Sequence, residues 1–199
     1  SLGMVGTFLE PDGGGENRGE LLELCAEAGN DLIVGNGFLF DAAMNEVAPN
    51  YPDLNFAITD GVAEPSNVRG MLFKHAEGSY LAGIAAALKT KTNNVGFIGG
   101  VDFPLIHEFE QGFLAGVAEI NPDIVVQIGY ASVPPDFSGF NDPVKGKEIA
   151  LAQYEAGADI IYHAAGGTGT GMFEAAKEVS EATGSKVWGI GVDLSLIHI

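Results

Sequence analysis

The sequence is short of cysteine, of basic side chains and of long apolar runs, and each scarcity excludes something. A single cysteine, Cys25, leaves no internal disulfide and no cysteine-cluster metal site. It stands in Leu21-Leu22-Glu23-Leu24-Cys25-Ala26, an apolar, helix-compatible run that suits a buried thiol better than a nucleophile. The residues before it lack the charged-then-apolar pattern of a leader, so it is not read as a lipidation site. Basic residues number 9 against 27 acidic ones, a formal charge of −18. Such a field repels phosphate backbones, so no nucleic-acid partner is expected, and it suits a solvated acidic surface. No apolar run reaches bilayer-spanning length. His75, His107, His163 and His198 are scattered without zinc spacing. No Gly-x-Ser-x-Gly elbow and no Walker lysine occur. With no catalytic constellation in view, neither an enzyme nor a bound cofactor is expected.

What is present is a strong α/β pattern. An apolar fraction of 46% over 199 residues is enough to build a core. Short β-rich runs are predicted at 31–34, 55–59, 68–73, 95–98, 124–129, 159–163 and 186–192. Helical stretches are predicted between them at about 16–28, 39–48, 77–89, 105–120, 144–156 and 171–182. Several strand runs, such as Asp31-Leu32-Ile33-Val34 and Val95-Gly96-Phe97-Ile98, are continuously apolar rather than alternating. That pattern predicts strands covered on both faces, as in a parallel sheet with right-handed crossovers. Phe109, Phe113, Val117 and Ile120 recur at helical spacing and are expected to face a core.

In such a sheet, ligands meet the carboxyl ends of strands and the helix N-termini beside them. The residues following the predicted strands are therefore the candidate site. They are Gly35-Asn36-Gly37-Phe38, Asp60-Gly61, Gly99-Gly100-Val101-Asp102, Ala164-Ala165-Gly166-Gly167-Thr168-Gly169, and Asp193. A carboxylate at a strand end, such as Asp60 or Asp193, can accept bonds from vicinal hydroxyls; each also reads as a plain turn residue. The run Gly166 to Gly171 misses the dinucleotide spacing, because Met172 stands where the last glycine is needed. It reads instead as close backbone approach to a ligand, or as a purely structural loop. Tyr162 can stack on a planar base and His163 can hydrogen-bond a ligand, though strand alternation lets only one face a cleft, and each equally suits a core.

A family resemblance is carried by consecutive segments from about residue 16 to residue 193. They include Asp31-Leu32-Ile33-Val34-Gly35-Asn36-Gly37-Phe38-Leu39, Glu77-Gly78-Ser79-Tyr80-Leu81-Ala82-Gly83, and Val95-Gly96-Phe97-Ile98-Gly99-Gly100-Val101-Asp102-Phe103-Pro104. Further on come Phe109-Glu110-Gln111-Gly112-Phe113, Asp142-Pro143-Val144-Lys145-Gly146, Gly157-Ala158-Asp159-Ile160-Ile161 and His163-Ala164-Ala165-Gly166-Gly167-Thr168-Gly169. In order and spacing the chain resembles the basic-membrane-protein or purine-nucleoside-receptor-like (PnrA-like) substrate-binding lipoproteins of ABC importers.

The resemblance implies a type I periplasmic-binding-protein-like fold, two parallel-sheet α/β lobes joined by a hinge. A partial first lobe would span 1–70 and a nearly complete second lobe 71–199. It implies a receptor that closes on a purine nucleoside, or a similar small polar ligand, in the cleft between the lobes and delivers it to ABC permease subunits. The setting would be the cell envelope, with membrane attachment only through a lipid anchor that this chain lacks. By position, Asp60 and Asp193 would hold ribose hydroxyls and Tyr162 would stack on the base. Gly37, Phe38, Asp102, Gly166 and Gly167 would line the cleft; His163 and Thr168 join the ligand-binding candidates from the reading of the residues, not from the resemblance. The family's opening strand and its Ser-Phe-Asn loop have no counterpart here, and 1–15 and 194–199 depart from its pattern. The chain is thus expected to be truncated at both ends and marginal alone. A sugar receptor and the effector domain of a transcription regulator stay open as alternatives.

Overall fold

Among the described residues, seven parallel strands fall into two sheets. The structure, a computed structural model, describes residues 5–12 and 15–192. Two units divide the chain, Ser1–Phe73 and Lys74–Ile199.

The first unit carries α1 (Arg18–Glu27), β1 (Leu32–Gly35), a 3-10 turn Phe38–Phe40, α2 (Asp41–Val47), a second turn Ala48–Asn50, β2 (Asn55–Thr59) and β3 (Val68–Met71). The strands pair in the order β1-β2-β3, all parallel. Leu22, Ala26, Ile33, Met44, Phe56 and Ile58 form the core on the helical side. On the other side Leu32 and Val34 of β1 remain 56% and 50% exposed, so this sheet is covered on one face at that strand. The Asn67 amide donates to the carbonyls of Ala48, Tyr51 and Leu54, binding the loop before β2 to the start of β3.

The second unit runs α3 (His75–Lys89), β4 (Asn94–Val101), α4 (Pro104–Ile120), β5 (Val125–Ser132), a 3-10 turn Ser138–Phe140 and α5 (Pro143–Glu155). It continues with β6 (Ile160–Ala164), a 3-10 turn Gly166–Thr168, α6 (Gly169–Thr183) and β7 (Trp188–Ile190). Strand order is β5-β4-β6-β7, again parallel throughout. Pro104 and Pro143 sit in the first turns of their helices, where a missing N–H costs nothing, and Asp142 caps α5 by accepting from the Lys145 N–H at 2.9 Å. Helix α6 ends at Gly184, whose φ of 68° a side-chain-bearing residue would resist.

Both faces of the central strands β4 and β6 are buried, as their continuous apolarity predicts. Val95, Phe97, Ile160 and Tyr162 meet Ala86, Phe113 and Val117 of α3 and α4. Ile98 and Ile161 meet Ala150, Tyr154, Met172 and Ala175 of α5 and α6 on the other side. Among the described residues no helix is long and apolar enough to cross a membrane.

Candidate functional site

The carboxyl ends of the strands gather most of the candidate residues, and each unit does so in its own way. In the first unit the loops after β1 and β2 are tied together. The Gly37 N–H donates to Thr59 Oγ1 at 2.7 Å, and that hydroxyl donates to Asn36 Oδ1 at 2.9 Å. Gly37 adopts φ 103°, a backbone state that favours glycine, and it leads straight into the turn that begins with half-buried Phe38. Asp60 ends β2 with φ 58°, tolerated by aspartate at an energetic cost, and its N–H donates to Met71 O at 2.8 Å. Its Oδ1 is shielded from solvent.

The sequence reading missed Asp41, the first residue of α2, which comes to the same strand end. A Cβ on Gly61 would meet its Oδ1. Burial raises the Asp41 carboxyl above the usual carboxylate range, partly offset by the hydrogen bond it accepts from the Val62 backbone. No spacing rule connects residues 41 and 60; only the fold does.

In the second unit, β4 ends in Gly99-Gly100-Val101-Asp102, beside Ala164 of β6 and Ser132 of β5. The Asp102 N–H donates to Ser132 O, and the carboxylate accepts from His107 Nε2 at 2.6 Å. Both side chains are about half exposed. Gly166 and Gly167, exposed after β6, lie against the backbone of Phe140 and the side chain of Asn141.

Thr168 belongs beneath this surface, not on it. It is fully buried; its hydroxyl donates to Gly139 O and accepts from the Asp142 N–H, both at 2.7 Å. Ser132 Oγ in turn donates to Asp136 O and accepts from the Gly139 N–H. The loops after β5 and β6 are thereby knitted into one platform.

Tyr162 and His163 lie in mid-strand and point into opposite cores. Tyr162 is 4% exposed, packed against Phe97 and Phe113 under α3 and α4, with its hydroxyl sharing a 3.0 Å hydrogen bond with Ser79. That placement leaves no ring face for a base. His163 is 3% exposed and edge-on to Phe173, with its ring filling the space where Gly169 lacks a Cβ. Neither ring nitrogen has a hydrogen-bond partner among the described residues, and burial pushes its pKa down to about 4. The aromatics at the strand ends are instead Phe103 and Phe137, an edge-to-face pair at 5.6 Å beside Asp102. Phe137 lies in the loop after β5, where Val133-Pro134-Pro135-Asp136 breaks the strand. Asp193 lies outside the described residues.

Among the described residues no three His, Cys, Asp or Glu side chains are grouped to hold a metal. What the site offers is carboxylate acceptors, exposed glycine backbone and aromatic faces, which suit the holding of a small polar ligand.

Comparisons with known proteins identify the relatives of this chain. A family model described as "ABC transporter substrate-binding protein PnrA-like" matches residues 9–196. The ABC transporter nucleoside-binding protein BmpA of Lactococcus lactis is 44% identical over 170 residues, which is 84% of this chain and 47% of that protein. The CD4+ T-cell-stimulating antigen of Listeria monocytogenes is 43% identical over 174 residues, 86% of this chain and 47% of the relative. A solved ABC solute-binding protein from Aeropyrum pernix superposes with a TM-score of 0.76 at 32% identity, covering 88% of this chain and 50% of that one. The fold is therefore type I periplasmic-binding-protein-like, and the chain spans about half the length of the relatives it matches. The chain belongs to the PnrA-like family of ABC transporter substrate-binding proteins.

Proposed function

We propose that this chain is part of the extracytoplasmic substrate-binding receptor of an ABC importer, a ligand carrier with no catalytic role, and that its ligand is a purine nucleoside. The observation that carries this reading is the half-exposed Asp102 carboxylate following β4, at the same sheet end as the exposed Gly166-Gly167 backbone that follows β6 and next in sequence to Phe103 of the Phe103–Phe137 pair. A nucleoside presents what such a surface receives: hydroxyl and ring N–H donors for carboxylates, and a planar face for an aromatic ring. The nucleoside-binding name of the 44% identical Lactococcus relative supports the same ligand class. In the first unit, Asp60 and the Gly37-Phe38 turn take the equivalent place at the ends of β1 and β2, and Asp193 is proposed as a further hydroxyl acceptor. Tyr162, His163 and Thr168 serve the framework.

Stacking on a base is worth roughly 1–3 kcal/mol, and each hydrogen bond to a carboxylate about 1.5–3 kcal/mol. Titration calorimetry of the full-length receptor against adenosine, guanosine, inosine, uridine and ribose tests the assignment. The expected result is tight binding of purine nucleosides, weakened at least tenfold in Asp60→Ala and in Asp193→Ala. Heat from ribose alone would move the assignment to a sugar receptor, and silence across the panel would overturn it.

A further inference from the structure

Asp102 is not left to find its own orientation. Its backbone is fixed by the bond from its N–H to Ser132 O, and its Oδ1 lies 2.6 Å from His107 Nε2 in the first turn of α4. A carboxylate can only accept, so the imidazole is the donor in this pair. The imidazole is itself held: it packs edge-on against Tyr130 of β5, with ring centroids 5.9 Å apart at 82°. Tyr130 donates its hydroxyl to Glu110, one turn further along α4. Burial first, then the Glu110 carboxylate, pushes the Tyr130 phenol above its ordinary range, so it stays a donor. From the other side, the Tyr130 ring occupies the space over Gly99, where a Cβ would overlap it. A single chain of contacts thus runs from Glu110 through Tyr130 and His107 to Asp102.

Resting on the receptor reading above, we propose that His107 is a positioning residue for the ligand. By engaging Oδ1 it locks the Asp102 rotamer and leaves Oδ2, which has no partner among the described residues, as one pre-aimed acceptor for a ligand N–H or O–H. A free aspartate at a half-exposed position loses rotamer freedom when ligand binds, and that loss weakens binding; a clamped one has lost it already. The exposure of both partners also makes the pair a poor contributor to fold stability.

The test is calorimetry of the full-length receptor with inosine, using His107→Ala, His107→Gln, Asp102→Asn and the His107→Ala/Asp102→Asn double variant, with thermal melts alongside. His107→Ala is expected to weaken binding about three- to tenfold without lowering the melting temperature. His107→Gln keeps an N–H donor and is expected to recover most of the affinity. In the Asp102→Asn background, His107→Ala is expected to add nothing. Unchanged affinity in His107→Ala, with Asp102→Asn impaired, would sink the positioning role and leave the receptor reading intact. Additive losses would mean that His107 touches ligand itself, which also overturns it. A wild-type receptor silent to inosine and to the other nucleosides would overturn both the receptor reading and this inference.

Discussion

Two buried side chains near the site do structural work that makes measurable demands on the molecule. Thr168 satisfies Gly139 O and the Asp142 N–H at once, in a spot water does not reach. Replacing it with valine preserves volume and orphans both groups, so Thr168→Val is expected to cost about 2–3 kcal/mol in urea unfolding, while Thr168→Ser stays near wild type. His163 makes the opposite kind of demand, because it is neutral and unpartnered among the described residues. Its pKa is about 4 in the folded chain against an ordinary 6.5, so below pH 6.5 the unfolded chain takes up a proton that the folded one refuses. This neutral histidine therefore leaves stability intact above pH 6.5 and erodes it as pH falls towards 4, by up to roughly 3 kcal/mol at about 1.4 kcal/mol per pH unit. Unfolding free energies measured from pH 7.5 to 4 should show that slope, and His163→Leu should flatten it. An unaltered slope in the variant would place the proton uptake elsewhere.

At the scale of elements, the central strand β6 decides what its side chains do. The continuous apolarity of the strands announced burial on both faces, and that alone excludes a mid-strand aromatic from a ligand surface. Reading Tyr162 and His163 by alternation, with one of them towards a cleft, overlooked this consequence. Tyr162→Phe is accordingly expected to leave ligand affinity of the full-length receptor unchanged while costing about 1–2 kcal/mol, since Ser79 loses its buried partner. An affinity loss with unchanged stability would put the Tyr162 hydroxyl on the ligand and overturn its framework role. The helix pair α3 and α4 was legible as elements but not as a pair. Gly112 and Gly116 look like ordinary helical glycines in sequence, yet a Cβ on either would overlap the Ala76 or Tyr80 carbonyl of α3. Gly116→Ala is expected to force the helices apart and cost about 1–3 kcal/mol in thermal or urea unfolding. Strands and helices were readable because periodicity and Gly or Pro punctuation are local. The predicted helix at 39–48 resolves into a 3-10 turn, α2 and a second turn, and β5 extends to Ser132, beyond its expected end. The platform after β5 and the approach of Asp41 to Gly61 rest on contacts between residues far apart in sequence, which no local pattern records.

At the scale of the molecule, the two units differ in how completely their sheets are covered, and that difference should govern how the chain unfolds. The second unit sandwiches a four-stranded sheet between helix pairs, with Phe97, Ile98, Ile160 and Ile161 all at 1% exposure or less. Among the described residues, the first unit has a three-stranded sheet with a core on its helical side, and Leu32 and Val34 of β1 stand half in water. At roughly 25 cal/mol per Å² of apolar surface, an uncovered strand face forgoes stabilisation that a sandwiched one gains. The sequence supplies a reporter for only one of them: its single tryptophan, Trp188, lies in β7 of the second unit, with the Lys186 ammonium 3.9 Å and the Lys89 ammonium 4.6 Å from its ring centroid. Its fluorescence follows the second unit, whereas far-ultraviolet dichroism follows both. In urea without ligand, the dichroism signal is expected to begin its loss at lower denaturant than the fluorescence, the mark of a departure from two-state behaviour. Hydrogen exchange should agree, with the most protected amides in β4 and β6 and the least protected strand in β1. Superimposable fluorescence and dichroism transitions would refute the independence of the units, because the one-sided sheet would then unfold only together with the sandwiched one.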